Sequence, residues 1–207
     1  MKTCLIISGG EYHPLPDNLK YDFLIAPDHG YDYAMKMGVV PDLILGDFDS
    51  ACYDKESIKD IPVESFPVCK DDTDTMLSIK KALSLGYEHI IIVCALGKRF
   101  DHAFANIQSM AYVASHGGMC EVYGNGEYLR TICNETATLN RKEGFSLSLF
   151  SLTDSCEGVS IKGSAYDCED ITLTNTFPLG VSNKWKDDVV TVSVRSGILL
   201  AAESYSK

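Results

Sequence analysis

The sequence predicts an α/β protein: an N-terminal, mostly parallel sheet flanked by helices over residues 1–125, then an all-β sandwich domain over residues 126–207. Three observations carry this. Up to residue 125, short apolar runs rich in Ile, Leu and Val alternate with helical patterns, as expected for parallel strands buried on both faces. Gly124-Asn125-Gly126 is a turn signal that ends the alternation. Beyond it only short β-rich runs recur, separated by Gly, Asn, Asp and Ser, with no helical period.

In the first part the strands are Thr3–Ser8, Phe23–Ala26, Leu43–Leu45, His89–Leu96 and Cys120–Tyr123. Each is short, apolar and bounded by polar or Gly-rich residues. The helices are Gly30–Met37, Thr73–Leu85 and Asp101–Ser115. In the second helix Met76, Ile79, Ala82 and Leu83 recur at helical spacing, and Gly117-Gly118 stops the third. In the second part the strands are Tyr128–Cys133, Phe145–Leu152, Gly158–Lys162, Ile171–Thr174, Val189–Val194 and Ile198–Ala202.

The chain has 207 residues, 45% of them hydrophobic, so a sizeable core is available. Its formal net charge of −11 argues against a nucleic-acid partner, which needs a basic footprint. It leaves room for a nucleotide, because a metal can bridge acidic protein and acidic ligand. The eight cysteines form no C-x-x-C pair and no zinc spacing, and they read as reduced thiols of a cytoplasmic protein. The apolar run Cys4–Ile7 is too short for a signal peptide, and no stretch is long and apolar enough for a membrane helix.

The chemistry sits after the strands. Gly46-Asp47-Phe48-Asp49-Ser50 follows the third strand. In an extended segment Asp47 and Asp49 point the same way, and two such carboxylates repel unless a cation lies between them. Hard oxygen ligands there suit Mg²⁺ with substrate phosphates in its shell; an ordinary Asx-rich turn is the plain alternative. Lys70-Asp71-Asp72-Thr73-Asp74 and Gly97-Lys98-Arg99-Phe100-Asp101-His102 both precede helices, where free N–H groups and the helix dipole favour anions. Helix capping explains the acids but not the Lys and Arg beside them. Carboxylates for a metal, with cations for phosphate, make a phosphoryl-transfer inventory. Asp28, Asp47 and Arg99 all follow strands, so they collect where ligands bind in such sheets.

These segments resemble the thiamine pyrophosphokinase family. That family carries an Asp-Gly-Gly-type loop, a Gly-Asp-Phe-Asp-Ser loop, a Lys-Asp-x-Thr-Asp segment, a Gly-x-Arg-x-Asp-His segment and a Ser-Asn motif in a β-rich tail. The matching stretches are Asp28-His29-Gly30, Gly46–Ser50, Lys70–Asp74, Gly97–His102 with Asn106, and Gly180-Val181-Ser182-Asn183. Their order matches over almost the whole chain. His29 departs from the pattern by standing where the first Gly is usual, which bears on that loop's contacts.

The resemblance implies transfer of pyrophosphate from ATP to the hydroxyl of thiamine, giving thiamine diphosphate and AMP. It implies Mg²⁺ on Asp47, Asp49 and Asp74. It implies ATP contacts at Asp28, Gly30, Ser50, Lys70, Thr73, Arg99, His102 and Asn106. Lys70 and Arg99 would bind phosphate oxygens, Arg with a bidentate fork. Asp71 and Asp101 are both candidates for accepting the hydroxyl proton. Ser182, Asn183 and Trp185 would hold thiamine, Trp185 by its indole face, against the plainer reading that this sole tryptophan fills the β core. His102 reads equally as a ligand contact or a local hydrogen-bonding residue. A homodimer with thiamine at the subunit interface is implied as well.

Two other classes compete. Asp47-Phe48-Asp49-Ser50 also looks like the start of a haloacid-dehalogenase-type phosphatase with Asp47 as nucleophile. That motif usually follows the first strand, and here two strands come earlier. A non-catalytic thiamine-binding protein would have no use for the acidic cluster or for Lys70 and Arg99.

Overall fold

A computed structural model describes residues 1–46, 61–65 and 72–206. The chain divides into two compact units, Met1–Ser109 with Tyr123–Asn125, and Met110–Val122 with Gly126–Lys207. Among the described residues no helix is long and apolar enough to cross a membrane.

The first unit holds β1 (Thr3–Ile7), β2 (Phe23–Pro27), α1 (Gly30–Met37), β3 (Leu43–Gly46), β4 (Val63–Ser65), α2 (Asp74–Ser84), β5 (His89–Val93) and the start of α3 (Phe100–Ser115). Its strands lie in the order β5-β1-β2-β3-β4, and every pairing among them is parallel. The apolar runs that mark β1, β2, β3 and β5 are almost wholly buried. A core of Leu5, Ile7, Leu24, Ala26, Ile44, Ile91 and Val93 packs with Tyr31 and Ala34 of α1. The parallel sheet expected from the alternating pattern is therefore present.

Helix ends follow their local chemistry. Thr73 caps α2, its Oγ1 accepting from Met76 N at 3.1 Å. Gly38 closes α1 in the left-handed conformation, φ +74°. The expected strand His89–Leu96 stops at Val93, because Cys94 is itself left-handed at φ +55° and turns the chain out of the sheet.

β6 (Met119–Gly124) is followed by β7 (Glu127–Cys133), β8 (Thr136–Asn140), β9 (Phe145–Ser151), β10 (Ser155–Lys162), β11 (Cys168–Thr174), β12 (Gly180–Asn183), β13 (Val189–Ser193) and β14 (Ile198–Tyr205). In the second unit β9 pairs antiparallel with both β12 and β14, and β14 pairs with β7. A separate four-stranded sheet runs β11-β10-β13-β8. One core joins Ile132, Leu147, Leu149 and Leu199 of the first layer to Leu139, Val159, Ile161, Val190 and Val192 of the second. This is the expected β-sandwich. Its last strand outruns the expected Ile198–Ala202 because Glu203 continues inward, buried and ion-paired to Lys142 at 2.8 Å.

Candidate active site

Chain order builds the site. The connections step outward from β1 to β2, β3 and β4, and then α2 returns the chain to β5 on the other side of β1. The strand order thus reverses between β1 and β5, and a crevice opens beyond their carboxyl ends at such a point. A cavity of about 520 Å³ lies there. Ser8 to Gly10 follow β1, Pro27 ends β2 and Asp28 and His29 follow it, Asp72 to Thr75 open α2, and Gly97 to Arg99 follow β5; all line it.

The structure brings Asp28, Thr73, Asp74, Arg99, His102 and Asn106 to this cavity. Gly30 and Asp101 are not among its lining residues. Asp47, Asp49, Ser50, Lys70 and Asp71 lie outside the described residues.

The individual groups differ in how free they are. Asp28 stands at φ +37°, and its Oδ2 is 3.1 Å from His29 Nδ1. The unusual His29 therefore partners a site carboxylate. Gly30 serves by its size: a Cβ there would lie 1.8 Å from the Ile7 carbonyl oxygen. Asn106 is buried and donates from Nδ2 to Ala95 O at 2.7 Å, so it fastens the segment after β5. Ser8 and Thr75 share a buried hydroxyl contact of 2.8 Å that ties β1 to α2.

Arg99 and Asp101 form a closed pair. Nε and Nη2 of Arg99 donate to the two carboxylate oxygens at 3.1 and 2.5 Å, and Asp101 Oδ1 also accepts from His102 N at 3.0 Å. The hydrogen bonds from Arg99, with that from the His102 amide, hold the Asp101 carboxyl below its usual range, and the same pairing raises Arg99. A carboxylate so stabilised is a weaker proton acceptor than a free one. The Arg99 fork is occupied in this arrangement.

Sequence reasoning missed Lys98, Asp72, Ser8 and Thr75 at this cavity. Asp72 is salt-bridged to Lys80 at 2.7 Å. Lys98 lay in plain view inside the Gly97–His102 segment, overshadowed by the Arg beside it.

The second unit has its own cavity of about 340 Å³, whose lining includes Ser182, Trp185, Arg141, Lys142, Phe145 and Lys184. Trp185 is partly buried against the sandwich core, yet it also borders this space. Ser182 adopts φ +60° and donates its N–H to Ser148 Oγ at 3.0 Å. Asn183 is not among the lining residues. Its Oδ1 accepts from Tyr166 N and Lys184 N, and its Nδ2 donates to Ser164 Oγ and Tyr166 O. All of its polar capacity goes to bracing the surrounding loops.

Comparison with known proteins agrees with this layout. The family model for the thiamin pyrophosphokinase catalytic domain matches residues 18–122. The chain belongs to the thiamin pyrophosphokinase family. The model for that family's vitamin B1 binding domain matches residues 136–199. A search of curated protein sequences finds no significant match. Among solved structures, the thiamine pyrophosphokinase of Bacillus subtilis is similar in fold, with TM-score 0.87 at 22% identity and 100% of both chains covered. The Candida albicans thiamin pyrophosphokinase gives TM-score 0.77 at 14% identity, covering 98% of this chain and 89% of its own. The yeast enzyme gives 0.71 at 13% identity, covering 99% and 86%. Thiamin pyrophosphokinase membership brings with it ATP-dependent pyrophosphoryl transfer to thiamine. Neither a haloacid-dehalogenase-type phosphatase nor a non-catalytic thiamine binder finds support in these comparisons.

Proposed function

We propose that pyrophosphoryl transfer takes place at the cavity beyond β1 and β5, with ATP and thiamine as substrates and Mg²⁺ as cofactor. The observation that carries this is coincidence: the catalytic-domain match over residues 18–122 spans most of the segments that line the cavity.

The donor set fits Mg²⁺ in kind. Asp28, Asp72 and Asp74 border the cavity with hard oxygen donors. Among the described residues no three metal-ligating side chains converge on one point. Asp74 would hold the ion together with Asp47 and Asp49. When bound, Mg²⁺ neutralises phosphate charge and polarises the β-phosphoryl group. The protein's own part is to align thiamine's hydroxyl with that phosphorus and to take its proton, the role we give to Asp71. Lys70 would hold phosphate oxygens beside it.

For thiamine we propose the cavity of the second unit, with Trp185 stacking on a ring and Ser182 at its edge. Asn183 then acts indirectly, by fixing the loops that carry them. We further propose a cytoplasmic homodimer with thiamine between subunits. The exposed apolar run of Phe177, Leu179 and Val181 on the second unit favours such an interface.

Release of AMP is the test. It is expected only when ATP, Mg²⁺ and thiamine are all present. AMP without thiamine, or inorganic phosphate in place of AMP, would refute the proposal.

A further inference from the structure

The cavity beyond β1 and β5 contains a cation whose charge no acid in the described chain matches. Lys98 Nζ donates to Tyr33 Oη at 2.7 Å and approaches Gly9 O at 3.4 Å. Both partners are neutral oxygens. No described carboxylate lies within ion-pair distance of Lys98, whereas the neighbouring Arg99 is held by Asp101 on both arms of its fork.

The backbone is arranged to present this side chain. Lys98 adopts φ +52°, in the left-handed region that side-chain-bearing residues occupy only at an energetic cost. Such a conformation persists where the surroundings over-determine it. Here they do so through Tyr33 of α1, whose Oη also donates to Gly10 O at 3.0 Å. Tyr33 thus links the loop after β1 to the loop after β5, with the ammonium group between them. The start of α3 follows directly, adding the positive end of a helix dipole.

An ammonium bonded only to neutral acceptors, on the wall of a cavity also bordered by Asp28, Asp72 and Asp74, suits one kind of ligand group. It suits a phosphate oxygen of a metal-bound nucleotide, where the metal answers the carboxylates and the lysine answers the phosphate. We propose that Lys98 is a phosphate-recognising residue for ATP in this cavity, and that Tyr33 is its positioning residue. This rests on the reading of the cavity as the ATP site. Lys98 takes the part that Arg99, engaged with Asp101, does not fill in this arrangement.

The test measures ATP binding by calorimetry with Mg²⁺ and without thiamine, alongside steady-state AMP release. Lys98→Gln is expected to weaken ATP binding about tenfold or more, as loss of a charge-assisted hydrogen bond implies. Its thiamine KM should stay within about twofold of wild type, and the salt dependence of ATP binding should flatten because a cation has been removed. Lys98→Arg should restore most of the affinity. Tyr33→Phe should weaken ATP binding less than Lys98→Gln, and combining the two should add little, because they act as one unit. ATP binding and salt dependence that are unchanged in Lys98→Gln, with wild-type turnover intact, would overturn the inference and leave the proposed function standing. Wild-type protein that binds ATP through Lys98 but releases no AMP with thiamine would uphold the inference and overturn the proposed function. Wild-type protein that binds no ATP would overturn both.

Discussion

Gly30→Ala separates two reasons for a glycine. Gly30 is the first residue of α1, and a Cβ built on it falls 1.8 Å from the carbonyl oxygen and 2.9 Å from the carbonyl carbon of Ile7. Ile7 closes β1, is fully buried and is paired in register with Val93 of β5. The clash is with backbone, so no rotamer relieves it. Helix α1 and strand β1 must part by roughly 1 Å or more in a close-packed core. That places the cost at the upper end of overpacking, about 3 kcal/mol or more. For a chain of this length about 3 kcal/mol corresponds to a melting point lower by roughly 6–12 °C.

Gly38→Ala is the control. Gly38 sits at φ +74° with nothing within 4 Å of a new Cβ, so only the left-handed backbone is penalised, by about 1 kcal/mol. Melting followed by circular dichroism should rank the two, with Gly30→Ala falling at least about twice as far. Because Asp28 and His29 immediately precede Gly30 at the cavity wall, its ATP KM should rise as well, while Gly38→Ala keeps normal kinetics. A melting point for Gly30→Ala within about 2 °C of wild type would show that the β1–α1 approach is not tight and that the reasoning is wrong.

Two further outcomes test the second unit. Burial pushes the Glu203 carboxyl above its ordinary value of 4.5, so the folded chain holds that proton more tightly than the unfolded chain does. The stability it contributes relative to Gln is full below about 4.5 and is lost as pH rises through the folded value. The melting-point advantage of wild type over Glu203→Gln should therefore shrink as pH rises from about 4 to about 7, and a widening advantage would contradict the sign. Trp185→Ala should raise the thiamine KM roughly 2- to 30-fold with the ATP KM little changed, and thiamine should quench the emission of this sole tryptophan. Early melting with a normal thiamine KM would assign Trp185 to the core alone.

Strands in the interior of a sheet announce themselves in sequence, whereas among the described edge strands only β11 does, as Ile171–Thr174. The buried strands β1, β2, β3 and β5 are each legible from an unbroken apolar run. The three strands the sequence left unread are β4, β8 and β12, and all three lie at the edge of a sheet. Val63–Ser65 has no buried residue, and Gly180–Asn183 has none either. Thr136–Asn140 alternates faithfully, but only Ala137 and Leu139 face inward, too little apolar signal to stand out. Edge strands have one partner and one open side, so their side chains carry less of the core and more of the solvent. β14 hid its end differently. Glu203 reads as the end of a strand until its partner Lys142, far away in the chain, is seen beside it.

The candidate site shows the same division between what is consecutive and what is paired. Order along the chain places Asp28, Thr73, Asp74, Arg99 and His102 after a strand or at the opening of a helix on one edge of a parallel sheet, and Asn106 follows His102 by one helical turn. Sequence placed cations beside acids but did not say which cation each acid would take. Arg99 and Asp101 are two residues apart and satisfy one another, so the group with the strongest claim by motif is charge-matched before any ligand arrives. Lys98 has a left-handed backbone, and its ammonium meets the Tyr33 hydroxyl 65 positions earlier in the chain. Asn183 makes the converse point: its motif marks it for a ligand, and its amide makes four hydrogen bonds to its own loops. A residue type at the right spacing establishes that a charge or an amide is present. Whether it is available to a ligand depends on the partners that folding brings to it, and these lie elsewhere in the sequence.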